Sequence, residues 1–98
     1  MMKTKSEYIS LLHHYMQQNA EKYALQKMGI FGSVARGDHH RESDIDVFVV
    51  MDKPNLFSLI HIKEELQELL HTNVDIVRFR TNMDSLLMSR ITKEGLYV

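Results

Sequence analysis

Three aspartates carry the strongest chemical signal in the chain. Asp44 and Asp46 stand at i and i+2 in the segment running from Asp44 to Met51, whose β-branched and aromatic residues Ile45, Val47, Phe48, Val49 and Val50 predict a central strand covered on both faces. On a strand, that spacing sends both carboxylates to one face, with Cα atoms roughly 6 to 7 Å apart. Two carboxylates so placed can share one hard cation or bridge two. Asp75 lies within Val74-Asp75-Ile76-Val77, another apolar strand, where an isolated carboxylate is costly unless a cation or donor compensates it. If this strand lies in register beside the first, the three carboxylates converge. Such a cluster repels itself when ionised, and Mg2+ or Mn2+, which prefer oxygen ligands, are its natural neutralisers. Taken singly, an aspartate at a strand end can simply cap a turn. That role suits Asp44 better than Asp46 or Asp75, which apolar residues flank on each side.

A second feature lies upstream. Gly32-Ser33 follows an apolar run and leads into Val34-Ala35-Arg36-Gly37, giving a turn whose backbone N–H groups can approach an anion closely. Ser33 can cap a short helix and offer its hydroxyl to a phosphate, while Arg36 adds a permanent charge with fork geometry. A Gly-Ser pair alone most often marks a turn or a helix cap. The information is in the conjunction of an anion-binding turn, ten intervening residues, an Asp-x-Asp strand and a third aspartate on a further strand.

The elements that must position these residues are legible in the apolar periodicity. Tyr8, Ile9, Leu11, Leu12, Tyr15 and Met16 recur at helical spacing between about Thr4 and Tyr23, with Thr4 or Ser6 as N-cap. Leu25 to Phe31 reads as a short strand entering the Gly32 turn. After the break at Pro54-Asn55, the stripe Leu56, Leu59, Ile60, Ile62, Leu66, Leu69 and Leu70 opposes Lys63, Glu64, Glu65 and Glu68, predicting a long amphipathic helix with a solvated acidic face. Val74 to Phe79 is a third strand, and Met83 to Lys93 a last helix, with Gly95 where a left-handed C-terminal residue would stand and Leu96-Tyr97-Val98 as a final short strand. The order α-β-β-α-β-α describes an α/β or α+β layer structure, a small sheet of three to four strands flanked by helices.

Length and composition bound the possibilities. Ninety-eight residues with 12 Lys+Arg against 13 Asp+Glu have room for one domain, residues 1–98, and none for a separate substrate domain. The absence of cysteine excludes thiol catalysis and a disulfide framework. A net charge of −1 lacks the basic footprint of direct nucleic-acid binding. The opening Met1-Met2-Lys3 segment is too short in apolar residues for a signal peptide, and Val47 to Met51 is far short of a bilayer span. A soluble, cytoplasmic protein without a membrane partner is expected.

Gly32-Ser33, ten residues, then Asp44-Ile45-Asp46 resembles the signature of the nucleotidyltransferase superfamily that includes DNA polymerase beta and kanamycin nucleotidyltransferase. The longer strings Phe31-Gly32-Ser33-Val34-Ala35-Arg36-Gly37-Asp38 and Ser43-Asp44-Ile45-Asp46-Val47 are similar to its minimal nucleotidyltransferase branch, small proteins encoded beside a HEPN-domain ribonuclease toxin and acting as its antitoxin. The resemblance implies a nucleotidyltransferase fold and transfer of AMP from ATP, with pyrophosphate leaving. It implies that Gly32 and Ser33 hold the β and γ phosphates, that Asp44 and Asp46 hold Mg2+, and that Asp75 completes a second metal position and helps deprotonate the attacking hydroxyl. Two-metal phosphoryl transfer needs this kind of positioning and charge neutralisation. The implied acceptor is a tyrosine hydroxyl of the HEPN toxin, supplied by the neighbouring gene's product. Arg36 is assigned a phosphate contact from its position alone. Two other functions fit the same residues: an antitoxin that blocks the toxin by contact, or a nucleotidyltransferase subunit acting on a small-molecule hydroxyl.

Other residues attract attention with less behind them. The pairs His13-His14 and His39-His40 lack the i, i+4 spacing of helical zinc ligands. His39, His40 and Arg41 fall between the two halves of the motif and are placed to touch nucleotide or acceptor. Tyr8 and Tyr15 belong to the apolar stripe of the first helix and are expected to pack. The seven methionines are expected chiefly as core filler, with an adaptable partner surface as the alternative for Met83 and Met88 on the last helix.

Overall fold

The computed structural model describes residues 3–80 and 82–98; Met1 and Met2, which open the segment weighed above as a leader, and Thr81 lie outside the described residues. The chain runs α1 (Lys5–Asn19), β1 (Leu25–Phe31), α2 (Gly32–Arg36), β2 (Ile45–Met51), α3 (Leu56–Leu70), β3 (Val74–Arg78), α4 (Ser85–Glu94) and β4 (Leu96–Tyr97). The sheet order is β3-β2-β1-β4. β1 pairs antiparallel with both β2 and β4, while β2 and β3 pair parallel, an arrangement that requires the α3 crossover between them. The result is a mixed α/β fold, a four-stranded mixed sheet flanked by helices.

Local chemistry sets the helix starts. Thr4 and Glu7 form a reciprocal capping box on α1, Thr4 Oγ1 accepting from the Glu7 N–H and Glu7 Oε1 from the Thr4 N–H. Asn55 and Asp84 cap α3 and α4, each side chain accepting two backbone N–H groups. α1 ends at Asn19, earlier than its apolar pattern suggests, because the chain reverses over residues 20–24 through Ala24 at φ 54°.

Period-two alternation along β2 divides the interior in two. Ile45, Val47, Val49 and Met51 join the larger cluster with Tyr8, Leu12, Ile62, Leu66 and Leu70, placing α1 and α3 on that face. Phe48 points to the other face, where it packs with Phe31 and Ile91 beneath α4. β2 is therefore covered on both faces, and Asp46, two residues before Phe48, shares the face that the smaller cluster covers.

Three details depart from the sequence reading. The element order gains the five-residue α2, whose cap position is Phe31, so Ser33 lies inside the helix and caps nothing. Gly95 is extended at φ −64°, ψ 137°, not left-handed. Glycine stands there because a Cβ would strike the Ile91 carbonyl and press on the Phe48 ring.

Candidate active site

The C-terminal end of β1 and the N-terminal ends of β2 and β3 meet at one edge of the sheet. Their registers place Asp46 between Phe31 on one side and Asp75 on the other. Asp44 stands one residue before β2, at the level where the Ile45 N–H donates to the Asn73 carbonyl at 3.0 Å. The in-register condition for convergence is met: β3 lies directly beside β2, and Asp46 and Asp75 are cross-strand partners.

Gly32 follows Phe31 and makes the approach possible. Its φ of +74° is a conformation that L side chains rarely adopt. A Cβ on Gly32 would also collide with Asp46 Oδ2. The glycine thus lets the β1–α2 turn lie against the carboxylate. Gly37, at φ +80°, closes α2 in the left-handed cap conformation, and the N–H groups of Gly37 and Asp38 donate to the Ser33 carbonyl. Ser33 is half-buried, and its hydroxyl makes no hydrogen bond among the described residues.

Asp46 is the electrostatic centre of the site. Burial raises its pKa above the ordinary carboxylate value, Asp75 and Asp44 add repulsion, and Arg90 and Arg36 pull the other way. An ionised carboxylate in that environment calls for a cation. Among the described residues no group of three His, Cys, Asp or Glu side chains is gathered so that it could hold a metal ion, so the three aspartates do not form the converged cluster expected from the sequence. Mg2+ keeps several waters and is typically bound by one or two carboxylates together with substrate phosphates, a demand that Asp46 and its register neighbour Asp75 would meet without a third protein ligand. The all-oxygen donor set of Asp44, Asp46 and Asp75 fits the ion chemically.

Glu94, at the end of α4, ties the turn down. Its Oε2 accepts the Gly32 N–H at 3.0 Å, and its Oε1 accepts from Arg36 Nη1, also at 3.0 Å. Arg36 Nε in turn donates to Asp38 Oδ2 at 3.0 Å. The Gly32 amide and the Arg36 guanidinium are therefore both engaged by protein carboxylates. Sequence reasoning missed Glu94, although one signal was available: a carboxylate at a helix C-terminus opposes the helix dipole and implies a compensating donor. Arg90 was missed as well. Its guanidinium lies over the Phe31 ring, 5.5 Å from the centroid, beside the same turn.

A solvent-open cleft of about 510 Å³ adjoins the site, lined by Arg41, Glu42, Asp44, Gln67, Thr72 and Asn73. Arg41 thus shares this cleft with Asp44, whereas His39 is not among its lining residues. The His39 ring packs edge-on against Tyr8, and its Nε2 pairs with the Lys3 carbonyl at 2.9 Å.

Away from this edge, Glu65 overturns its reading as part of a merely solvated face. Its Oε1 accepts from Tyr15 Oη at 2.7 Å and Tyr23 Oη at 2.9 Å, joining α1 and its following turn to α3. Burial and the adjacent carboxylate both push the two phenols up. At Glu65 burial acts upward, and the two hydroxyls with Lys22 and His61 outweigh it, holding the carboxyl below its ordinary range. Period-3.6 reasoning identified the stripe but not that one acidic residue beside it would be drawn inward by phenols.

Comparison with known proteins places this geometry. The family model described as polymerase beta nucleotidyltransferase matches residues 12–98. The chain belongs to that nucleotidyltransferase family. It is 31% identical over 98 residues to the protein adenylyltransferase MntA of Thermococcus cleftensis, the match covering 99% of this chain and 98% of that one. Among solved structures, a chain of a toxin-antitoxin complex with AMP-PNP superimposes with a TM-score of 0.75 at 25% identity, over 90% of this chain and 69% of the other. A chain from the complex of a tri-AMPylated Shewanella oneidensis HEPN toxin with its MNT antitoxin superimposes at 0.71, over 96% and 71% of the two chains. At 19% identity this last likeness speaks to the fold alone. The site assembled here on β1, α2, β2 and β3 therefore sits in an enzyme family whose members transfer nucleotides.

Proposed function

We propose that this chain is an Mg2+-dependent protein adenylyltransferase antitoxin that transfers AMP from ATP to a tyrosine hydroxyl of a HEPN-domain toxin. The observation that carries the reading is the apposition of Asp46 with the Gly32 turn on one side and Asp75 on the other. Kinship with a protein adenylyltransferase, and the toxin-antitoxin assemblies among its structural neighbours, supply the class of acceptor.

In this reading Asp44, Asp46 and Asp75 hold the divalent metal, which supplies charge neutralisation on the phosphates and on the attacking and leaving oxygens. The Gly32-Ser33 turn receives the β and γ phosphates, with the Ser33 hydroxyl as its free side-chain donor. The Arg36–Glu94 pair fixes the shape of that turn. The tyrosine oxygen forms a bond to the α-phosphorus as the bond to the pyrophosphate oxygen breaks, and the phenolic proton passes to Asp75. The solvent-open cleft beside Asp44 leaves room for a hydroxyl presented by a partner protein.

The test is the intact mass of the cognate HEPN protein after incubation with this chain, ATP and Mg2+, beside an Asp44→Asn, Asp46→Asn double variant. Mass increments in whole adenylate units that vanish with the variant support transfer. A stable complex without increments, with ATP or any other nucleoside triphosphate, would replace this reading with inhibition by contact.

A further inference from the structure

We infer that Arg90, on α4, is the side chain that reads the triphosphate of the nucleotide, a role that position in the motif gives to Arg36. This rests on the adenylyltransferase reading above and assigns one more residue to the same site. Two arginines approach the Gly32 turn, and the structure uses them differently. Arg36 donates to both Glu94 and Asp38, so its charge is already matched by two carboxylates. Arg90 has no ion pair among the described residues and is exposed.

Its placement is nonetheless defined. The guanidinium carbon lies over the Phe31 ring, 5.5 Å from its centroid, and Phe31 is both the residue before Gly32 and the cross-strand partner of Asp46. Phe31 is buried, so the platform beneath the guanidinium is rigid. Cation–π attraction to a ring face uses none of the guanidinium N–H groups, which stay available to donate to a ligand. Burial of the phenyl platform at the base of the turn thus holds an unmatched cation beside the place where the phosphates are read.

A planar fork of donors is suited to phosphate oxygens, and a cation near the leaving pyrophosphate stabilises charge as it develops. AMP, which lacks the β and γ phosphates, has no such oxygens to engage. Arg90 should therefore set the preference for ATP over AMP, whereas Arg36, as a strut of the turn, should affect both nucleotides alike.

The experiment measures equilibrium binding of ATP and of AMP to the full chain in Mg2+ by displacement of a fluorescent nucleotide, for wild type, Arg90→Met, Arg90→Lys and Arg36→Met. Arg90→Met keeps an aliphatic stem over Phe31. It is expected to weaken ATP by about ten-fold or more, as removal of one charge-assisted hydrogen bond does. AMP should weaken by less than about two-fold, the effect of a surface substitution that leaves every partner of the monophosphate in place. Arg90→Lys should recover part of the ATP affinity, and Arg36→Met should lower both affinities in parallel. An unchanged ATP-to-AMP ratio in Arg90→Met, in a wild type that binds both, overturns this inference and leaves the proposed function standing. A wild type that binds no nucleotide overturns both.

Discussion

Asp46→Asn should make the metal-free protein more stable while abolishing transfer. Asp46 and Asp75 are register partners on adjacent strands, and paired strands lie about 4.8 Å apart, so two ionised carboxylates on one face are about 5 Å apart. Their repulsion is about 3 kcal/mol at an effective dielectric of 20 and about 0.8 kcal/mol in bulk water. Asp75 is exposed and Asp46 half-buried, and Arg90 and Arg36 offset part of the charge. The net relief on neutralising Asp46 is then about 1 kcal/mol, which for a domain of this size raises Tm by about 4–8 °C. The carboxylate makes no hydrogen bond among the described residues, so the amide forfeits none. Because the folded-state pKa is raised above the ordinary 3.8, the wild type loses relative stability as pH rises through that range. The advantage of the variant should accordingly be present at neutral pH and disappear on acidification below about pH 4, where the carboxyl is neutral in both states. Thermal scans of the two proteins across pH, with and without Mg2+, measure this directly. Added Mg2+ should raise the Tm of the wild type, since a ligand of the native state stabilises it, and leave the variant unmoved. A less stable variant, or an Mg2+ shift that survives the substitution, would refute the placement of Asp46 at the centre of a repulsive, metal-neutralised cluster.

Other expectations follow from the same contacts. Gly32→Ala forces an L residue into a left-handed conformation at about 1–2 kcal/mol and drives a methyl into the Asp46 carboxylate, so it should both lower Tm and reduce transfer even at saturating ATP. Gly95→Ala, at an ordinary φ, should destabilise by about 1–3 kcal/mol through overpacking against Ile91 and Phe48, measured by urea unfolding; a neutral outcome would mean that α4 yields easily. Glu65→Gln should cost about 1 kcal/mol after allowance for solvent screening of the half-exposed carboxylate. Since burial is outweighed by the phenols and the Glu65 pKa lies below its ordinary 4.5, that difference should hold at neutral pH and fade as pH falls below about 4.5. Chelation of divalent metal by EDTA should abolish adenylate transfer in the mass assay and excess Mg2+ should restore it.

Local patterns in the chain determined most of the framework. Element identities follow from the continuous β-branched and aromatic run at Ile45 to Met51, buried on both faces, and from the period-3.6 stripe at Leu56 to Leu70, because a buried face imposes its repeat on the residues that line it. The caps Thr4 and Asn55 likewise act within four residues of their partners. The candidate residues Gly32, Ser33, Asp44, Asp46 and Asp75 were legible because the motif compresses them into two short segments and one strand. Tertiary structure alone decided how they are arranged. The register between β2 and β3, which sets Asp46 against Asp75, depends on the α3 crossover and not on either strand. Glu94 lies 62 residues from Gly32, and Glu65 lies 50 from Tyr15, so no periodicity could pair them. Gly95 does end α4 as its C-cap, but in an extended rather than a left-handed conformation, since steric demand from a distant ring and a demand for positive φ select the same amino acid. The two arginines differ for a similar reason: Arg36 and Arg90 are equivalent as letters, and only the carboxylates around one and the phenyl ring beneath the other divide their roles.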